Sequence, residues 1–235
     1  MTVVAIPDVV ASKNAYMATL LREDDAADRI LLARLRAEPN VVTIDRTDTI
    51  RRELTALRPA PNKEMLREPR QWAWYPWRRT LISVPGPLCY RRLRLDRNRN
   101  KITSDEQDRF GLLNIGIVGL SVGHAIAHTL ALEGLCGRLR LADNDTIELS
   151  NLNRIPATVF DLGINKAIVV ARRIAELDPH LPTDVFTSGL TEECMEDFFD
   201  GLDLVVEECD SLDMKVRVRE EARARGIPVF METSD

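Results

Sequence analysis

The chain has 235 residues, 45% of them hydrophobic and 29% charged, with a net charge of −5. That length can bury a sizeable core in one or two domains, and two unequal ones are expected. No apolar run is long enough to span a bilayer, and the first thirty residues lack the charged start, apolar stretch and small-residue cleavage site of a secretory signal, so a cytoplasmic protein is expected.

From the start to Pro61 the chain alternates apolar and charged blocks. Ile30, Leu31, Leu32 and Leu35 follow a helical period, Val41 to Ile44 reads as a strand, and Thr47 or Asp48 is placed to cap a helix presenting Ile50, Leu54 and Leu57. Residues 1–61 are therefore read as a small helix, strand, helix module with no chemical motif, ended by the break Pro59-Ala-Pro61.

Residues 62–110 are read as a basic, aromatic connector with helices. Between Arg67 and Lys101 ten basic residues face two acids, leaving about −13 on the rest of the chain. Trp72, Trp74, Tyr75 and Trp77 interleave with Arg70, Arg78 and Arg79. Nucleic-acid binding would need a recognised module behind such a face, and none is visible. Membrane-surface contact is a second reading. The favoured one docks the tryptophans on a neighbouring domain or subunit with the arginines solvated or paired, and leaves room for one arginine to reach a phosphate site.

Residues 111–235 read as α/β with a mainly parallel, doubly wound sheet of the Rossmann-like type. Strands are expected at Asn114 to Val118, Leu139 to Ala142, near Val185, at Leu204 to Glu207 and at Pro228 to Met231. Helices are expected at Val122 to Glu133, Lys166 to Leu177, near Met195 and at Leu212 to Arg225. In such a fold ligands sit beyond the carboxyl ends of the strands, and Gly119 to Gly123, Asp143 to Arg154 and Asp210 all follow strand ends. Cys89, Cys136, Cys194 and Cys209 are far apart and form no C-x-x-C, so reduced, buried thiols are expected rather than a zinc site or disulfides.

The loop Gly119 to His124 reads G-L-S-V-G-H, a glycine turn that can bring backbone N–H groups near a phosphate. The dinucleotide fingerprint wants glycines where this chain has Gly119, Ser121 and His124, so the loop alone decides little. His124, at the start of a buried helix, reads as a packing or capping residue. Asp143 lies 24 residues beyond Gly119, where a carboxylate accepts ribose hydroxyls in NAD and ATP enzymes alike. Downstream, Asn151, Arg154 and Lys166 supply donors suited to a triphosphate, and Asp210 is a hard oxygen ligand suited to magnesium. The alternative for Lys166 is a solvated residue opening a helix.

The stretch Asp143 to Arg154 (D-N-D-T-I-E-L-S-N-L-N-R), Lys166 in Gly163 to Lys166, Glu176-Leu177-Asp178-Pro179-His180, and D-L-V-V-E-E-C-D from Asp203 to Asp210 resemble the ThiF/MoeB/HesA family, whose adenylating fold is shared with ubiquitin-activating enzymes. The resemblance covers about residues 97–235. Arg97-Asn98-Arg99-Asn100 is similar to the family segment whose arginine enters the partner subunit's ATP site, with Arg99 as the match.

The resemblance implies attack of a substrate carboxylate on the α-phosphate of ATP, giving an acyl-adenylate and pyrophosphate. It implies nucleotide contacts from Gly119, Ser121, Gly123, Asp143, Asp145, Asn151, Arg154 and Lys166, with Asp143 on the ribose. Arg99, Arg154, Lys166 and Asp210 would carry catalysis, with Mg2+ on Asp210. A small ubiquitin-like carrier protein and a homodimer are the implied partners, with no nucleic acid and no transmembrane segment. The family's loop G-x-G-G-x-G is altered here to Ser121, Val122 and His124 with a shifted Gly123. The sequence stops at Met231-Glu-Thr-Ser-Asp235, and an N-terminal fragment of a longer protein is expected. The amino-terminal module and altered loop also resemble bacterial proteins that fuse a ThiF-like to a nitroreductase-like domain. Two other readings stay open: a nucleotide-binding pseudoenzyme or scaffold, and an NAD-dependent oxidoreductase.

Overall fold

The computed structural model describes residues 13–231. The first sheet is built from β1 (Thr19–Arg22), α1 (Ala26–Ala37), β2 (Val42–Ile44), α2 (Thr47–Ala56), α3 (Lys63–Arg67), β3 (Gln71–Tyr75) and β4 (Thr80–Val84). Its four strands run in the order β1-β3-β4-β2, with β3 antiparallel to both β1 and β4, and β2 parallel to β4. Leu21, Leu32, Trp72 and Leu81 form its core.

The segment expected as a connector thus supplies the two central strands. The alternation Gln-Trp-Ala-Trp-Tyr is a strand signal that the surrounding arginines mask. The β3–β4 turn also lacks the usual glycine or asparagine signal, because Arg79 takes the left-handed position itself, at φ 48°. At α2 the expected cap differs too. Neither Thr47 nor Asp48 caps the helix; Asp45 accepts from the Thr47 backbone N–H at 2.9 Å and from its hydroxyl at 2.5 Å.

Helices α4 (Pro87–Arg94) and α5 (Ser104–Phe110) lead to the second sheet. There β5 (Asn114–Val118), α6 (Gly123–Glu133), β6 (Arg138–Ala142), α7 (Lys166–Leu177) and β7 (Thr183–Phe186) are followed by α8 (Glu192–Phe199), β8 (Leu204–Glu207), α9 (Leu212–Arg225) and β9 (Val229–Met231). All pairings are parallel, in the order β7-β6-β5-β8-β9, so strand order reverses between β5 and β8. Ala127 and Ala131 of α6 pack with Val170, Ala171 and Ile174 of α7 on one face. Met195, Phe198 and Phe199 of α8 pack with Val218 and Ala222 of α9 on the other. This is the expected doubly wound α/β arrangement.

The two sheets meet at the C-terminal end of α7. Tyr75 donates its hydroxyl to the Ala175 carbonyl at 3.0 Å, and Tyr90 to the Leu177 carbonyl at 2.7 Å. The Glu176 carboxylate accepts from Trp77 Nε1 at 2.6 Å and from Arg78 at 2.8 and 3.1 Å. Asp178 accepts from Arg94 at 2.9 Å, and His180 contacts the Pro85 carbonyl at 3.1 Å. The docking reading of the aromatic stretch therefore describes Trp77 and Arg78, and the Glu176–His180 stretch serves this junction.

Candidate nucleotide site

A cleft of about 320 Å³ lies beyond the carboxyl ends of the strands, at the point where strand order reverses. Its walls come from four loops: Gly119, Leu120 and Ser121 after β5; Asp143, Asn144 and Asp145 after β6; Ser188, Gly189 and Leu190 after β7; and Glu208 to Ser211 after β8.

Gly119 is required by the backbone. Its φ is +85°, and an added Cβ would lie 2.5 Å from the Glu208 carbonyl oxygen and 2.9 Å from the Cys209 nitrogen. The β5 and β8 loops therefore touch through a space only glycine leaves. Gly123 does not line the cleft. It opens α6, and a Cβ there would lie 2.8 Å from an Ile117 methyl, so its role is close packing of helix on strand. Among the described residues α6 has no side-chain cap; the Ala125 amide donates to the Val122 carbonyl at 3.0 Å, and the helix begins two residues after Ser121 of the cleft wall.

Asp143 is buried and organises two loops. One carboxylate oxygen accepts from the Leu120 amide at 2.7 Å, the other from the Asp145 amide at 2.8 Å. Asn165 reinforces it: its side-chain oxygen caps α7, while its amide nitrogen donates to the Asp143 carbonyl at 2.8 Å and the Thr187 carbonyl at 3.2 Å. The sequence reading passed over Asn165, although an asparagine directly before a helical run is a capping signal.

Lys166 is 5% exposed, so it is not a solvated helix opener. Its ammonium donates to Asp145 Oδ2 at 2.7 Å and Ser121 Oγ at 3.2 Å, placing a buried cation between the β5 and β6 loops. Asp210 is exposed on the opposite wall. Between them Cys209 could be mistaken for a nucleophile. Burial, with the nearby Glu207 and Asp143 charges, pushes its thiol up to about 12, so it stays protonated at neutral pH. All four cysteines are free, and no cluster of three metal-ligating side chains occurs among the described residues.

Gly119, Ser121, Asp143, Asp145, Lys166 and Asp210 are thus brought together, whereas Asn151, Arg154 and Arg99 lie outside the cleft lining. Asn151 is buried, and its side-chain oxygen accepts from the Glu148 amide at 3.1 Å. Arg154 is exposed and donates to the Ser150 carbonyl and the Asn153 side chain. Arg99 donates to the Arg58 carbonyl and to Asp96, at the edge of a separate cavity of about 500 Å³ that Arg91 and Arg92 also line. His124 is 1% exposed, both ring nitrogens have no partner among the described residues, and burial lowers its pKa to about 4; it is a packing residue.

Fold and cleft define an α/β domain of the doubly wound kind with a cleft at its topological switch point. The sequence matches the ThiF family over residues 95–233, more than half of the chain, and the protein belongs to that family. An uncharacterized protein of Mycobacterium tuberculosis is 55% identical over 216 residues, covering 92% of this chain and 30% of its own length. The tRNA threonylcarbamoyladenosine dehydratase of Bacillus subtilis is 31% identical over 138 residues, 57% of this chain and 54% of that protein. The sulfur carrier protein adenylyltransferase of Thermus thermophilus is 28% identical over 131 residues, 55% and 48% of the two chains. Among solved structures, the Escherichia coli tRNA N6-threonylcarbamoyladenosine dehydratase superposes with a TM-score of 0.56 at 26% identity, covering 60% of this chain and 59% of that one. The same enzyme has also been solved in complex with ATP. The chain therefore spans 30%, 54% and 48% of the lengths of these three curated relatives. No helix among the described residues is long and apolar enough to cross a membrane.

Proposed function

We propose that this chain carries the ATP site of an adenylyltransferase that activates a carboxylate. The observation that carries the reading is Lys166, a buried ammonium in the cleft lining, bonded to Ser121 in the loop that leads into α6. A buried cation and a ribose-type carboxylate, gathered in one cleft by the β5 and β6 loops, suit a nucleoside polyphosphate. Magnesium suits Asp210 as well. This hard cation takes one or two carboxylates, completes its shell with phosphate oxygens and water, and needs no protein cage.

In the reaction, an oxygen of the substrate carboxylate forms a bond to the α-phosphorus of ATP as the bond to the bridging oxygen breaks, and pyrophosphate leaves with the electron pair. The protein acts by positioning and charge stabilisation, with no side-chain nucleophile. Asp143, already fixed by two backbone amides, offers its remaining lone pairs to the ribose. Lys166 would exchange part of its contact with Asp145 for phosphate oxygens, and Asp210 would hold magnesium, which would supply charge neutralisation for the polyphosphate. Arg154 is exposed and joins by turning toward the cleft, beside Asn151. Arg99 acts on the ATP site of a second subunit after leaving Asp96 and the Arg58 carbonyl. The substrate carboxylate is assigned to the C-terminal glycine of a small ubiquitin-like carrier, and the setting to cofactor biosynthesis in the cytoplasm.

ATP–pyrophosphate exchange with such a carrier tests the proposal: the wild type exchanges and Asp210→Ala does not. Absence of nucleotide binding at millimolar ATP would end it. A second reading, a scaffold that binds ATP without turnover, is favoured by the altered loop, whose Leu120 amide is already committed to Asp143. It predicts binding without exchange.

A further inference from the structure

Glu207, the last residue of β8, is fully buried, and the chemistry above does not use it. A carboxylate in such a place is costly unless it is hydrogen-bonded, so its position calls for a reason. Oε1 accepts from the Cys209 amide at 2.7 Å, spanning the bend that leads out of the strand. Oε2 has no hydrogen-bond donor among the described residues, and the Arg219 guanidinium of α9 lies 3.9 Å away.

This bend presents Asp210. Cys209, the residue before it, is held from beneath by Glu207. Ser211, the residue after it, caps α9 by accepting from the Met214 amide at 3.4 Å. The Glu208 amide donates to the Val118 carbonyl at 2.8 Å, and the missing Cβ of Gly119 leaves room for Glu208 and Cys209 to pass close by. Hydrogen bonds thus hold Glu208, Cys209 and Ser211, while Asp210 itself is exposed and lines the cleft.

We infer that Glu207 is a positioning residue whose buried carboxylate sets the bend that aims Asp210 at a metal-bound nucleotide. The inference rests on reading the cleft as a magnesium–ATP site. Groups that orient a metal ligand, without touching the metal, typically change metal affinity about 10- to 100-fold when removed.

The test uses the whole chain with Glu207→Gln and Glu207→Ala, and three readouts. Without ligand, amide exchange at Cys209 and Asp210 is expected to accelerate in Glu207→Ala. With ATP, the magnesium concentration for half-saturation is expected to rise about ten-fold in Glu207→Ala and less in Glu207→Gln, which keeps an oxygen for the Cys209 N–H. AMP, measured without magnesium, is expected to bind both variants as it binds wild type. In an Asp210→Ala background the Glu207 substitutions should add nothing further.

Equal weakening of AMP and magnesium–ATP, or full additivity with Asp210→Ala, would overturn the inference. So would unchanged amide exchange at the bend. If Glu207→Ala does not fold, the same-sized Glu207→Gln carries the magnesium comparison. If wild type binds no magnesium–ATP, the ATP reading falls, and the exchange measurement still decides whether Glu207 holds the bend.

Discussion

His124 gives a pH dependence whose sign and size follow from burial. The imidazole is 1% exposed, both nitrogens lack partners among the described residues, and desolvation, then repulsion by His128 and Arg173, brings its pKa down to about 4, with Asp161 opposing. An unfolded histidine titrates near 6.5. Between these values the unfolded chain binds more protons, so stability falls as pH falls through this window and is regained above it. The span is worth about 3 kcal/mol in all, most of it lost by pH 4. Urea unfolding of wild type and His124→Leu at pH 7, 6, 5 and 4.5 isolates the effect, because other groups titrate in both proteins. The wild type should lose about 2 kcal/mol more than the variant between pH 7 and 4.5. At pH 7 the variant should be at least as stable, since an apolar side chain leaves no nitrogen unpaired. Parallel pH profiles, or an NMR titration of His124 near 6.5, would refute this account.

Gly119→Ala should cost about 1–2 kcal/mol from the left-handed backbone alone. It should cost more because the 2.5 Å neighbour is the Glu208 backbone, and thermal unfolding together with ATP binding will show whether stability and affinity fall together. Tyr75→Phe removes the hydroxyl bonded to the Ala175 carbonyl and should lower unfolding free energy by about 1 kcal/mol without changing ATP affinity, since it lies at the junction of the sheets. Arg99→Ala should depress turnover far more than ATP binding; equal losses in both would argue against its action on a second subunit.

What could be read from the sequence follows from how local each cause is. Gly119, Asp143 and Asp210 were legible because each directly follows an apolar strand, and the parallel sheet gathers strand ends at one edge. The helices and strands of residues 111–235 fall where their periodicity places them, because each apolar run packs against that sheet. Residues 71–84 were illegible for the opposite reason. The burial of Trp72 depends on pairing with β1 and β4, and Arg70 and Arg36 flank that ring, so its charged neighbours are part of a packed strand. Asn151 shows a contact that spacing does not give: its side-chain oxygen closes a turn on the Glu148 amide. The Ser188–Leu190 wall carried no residue type that marks chemistry.

Lys166 tests the central claim most directly, because a buried cation in the cleft lining is the reason for assigning a polyphosphate to the cleft. Equilibrium binding of magnesium–ATP and of NADH to wild type and Lys166→Ala is the measurement. ATP should bind in preference to NADH, and loss of a charge-assisted contact of about 2 kcal/mol should weaken ATP roughly thirty-fold in the variant. Preferential NADH binding, or ATP affinity unchanged by Lys166→Ala, would contradict the assignment.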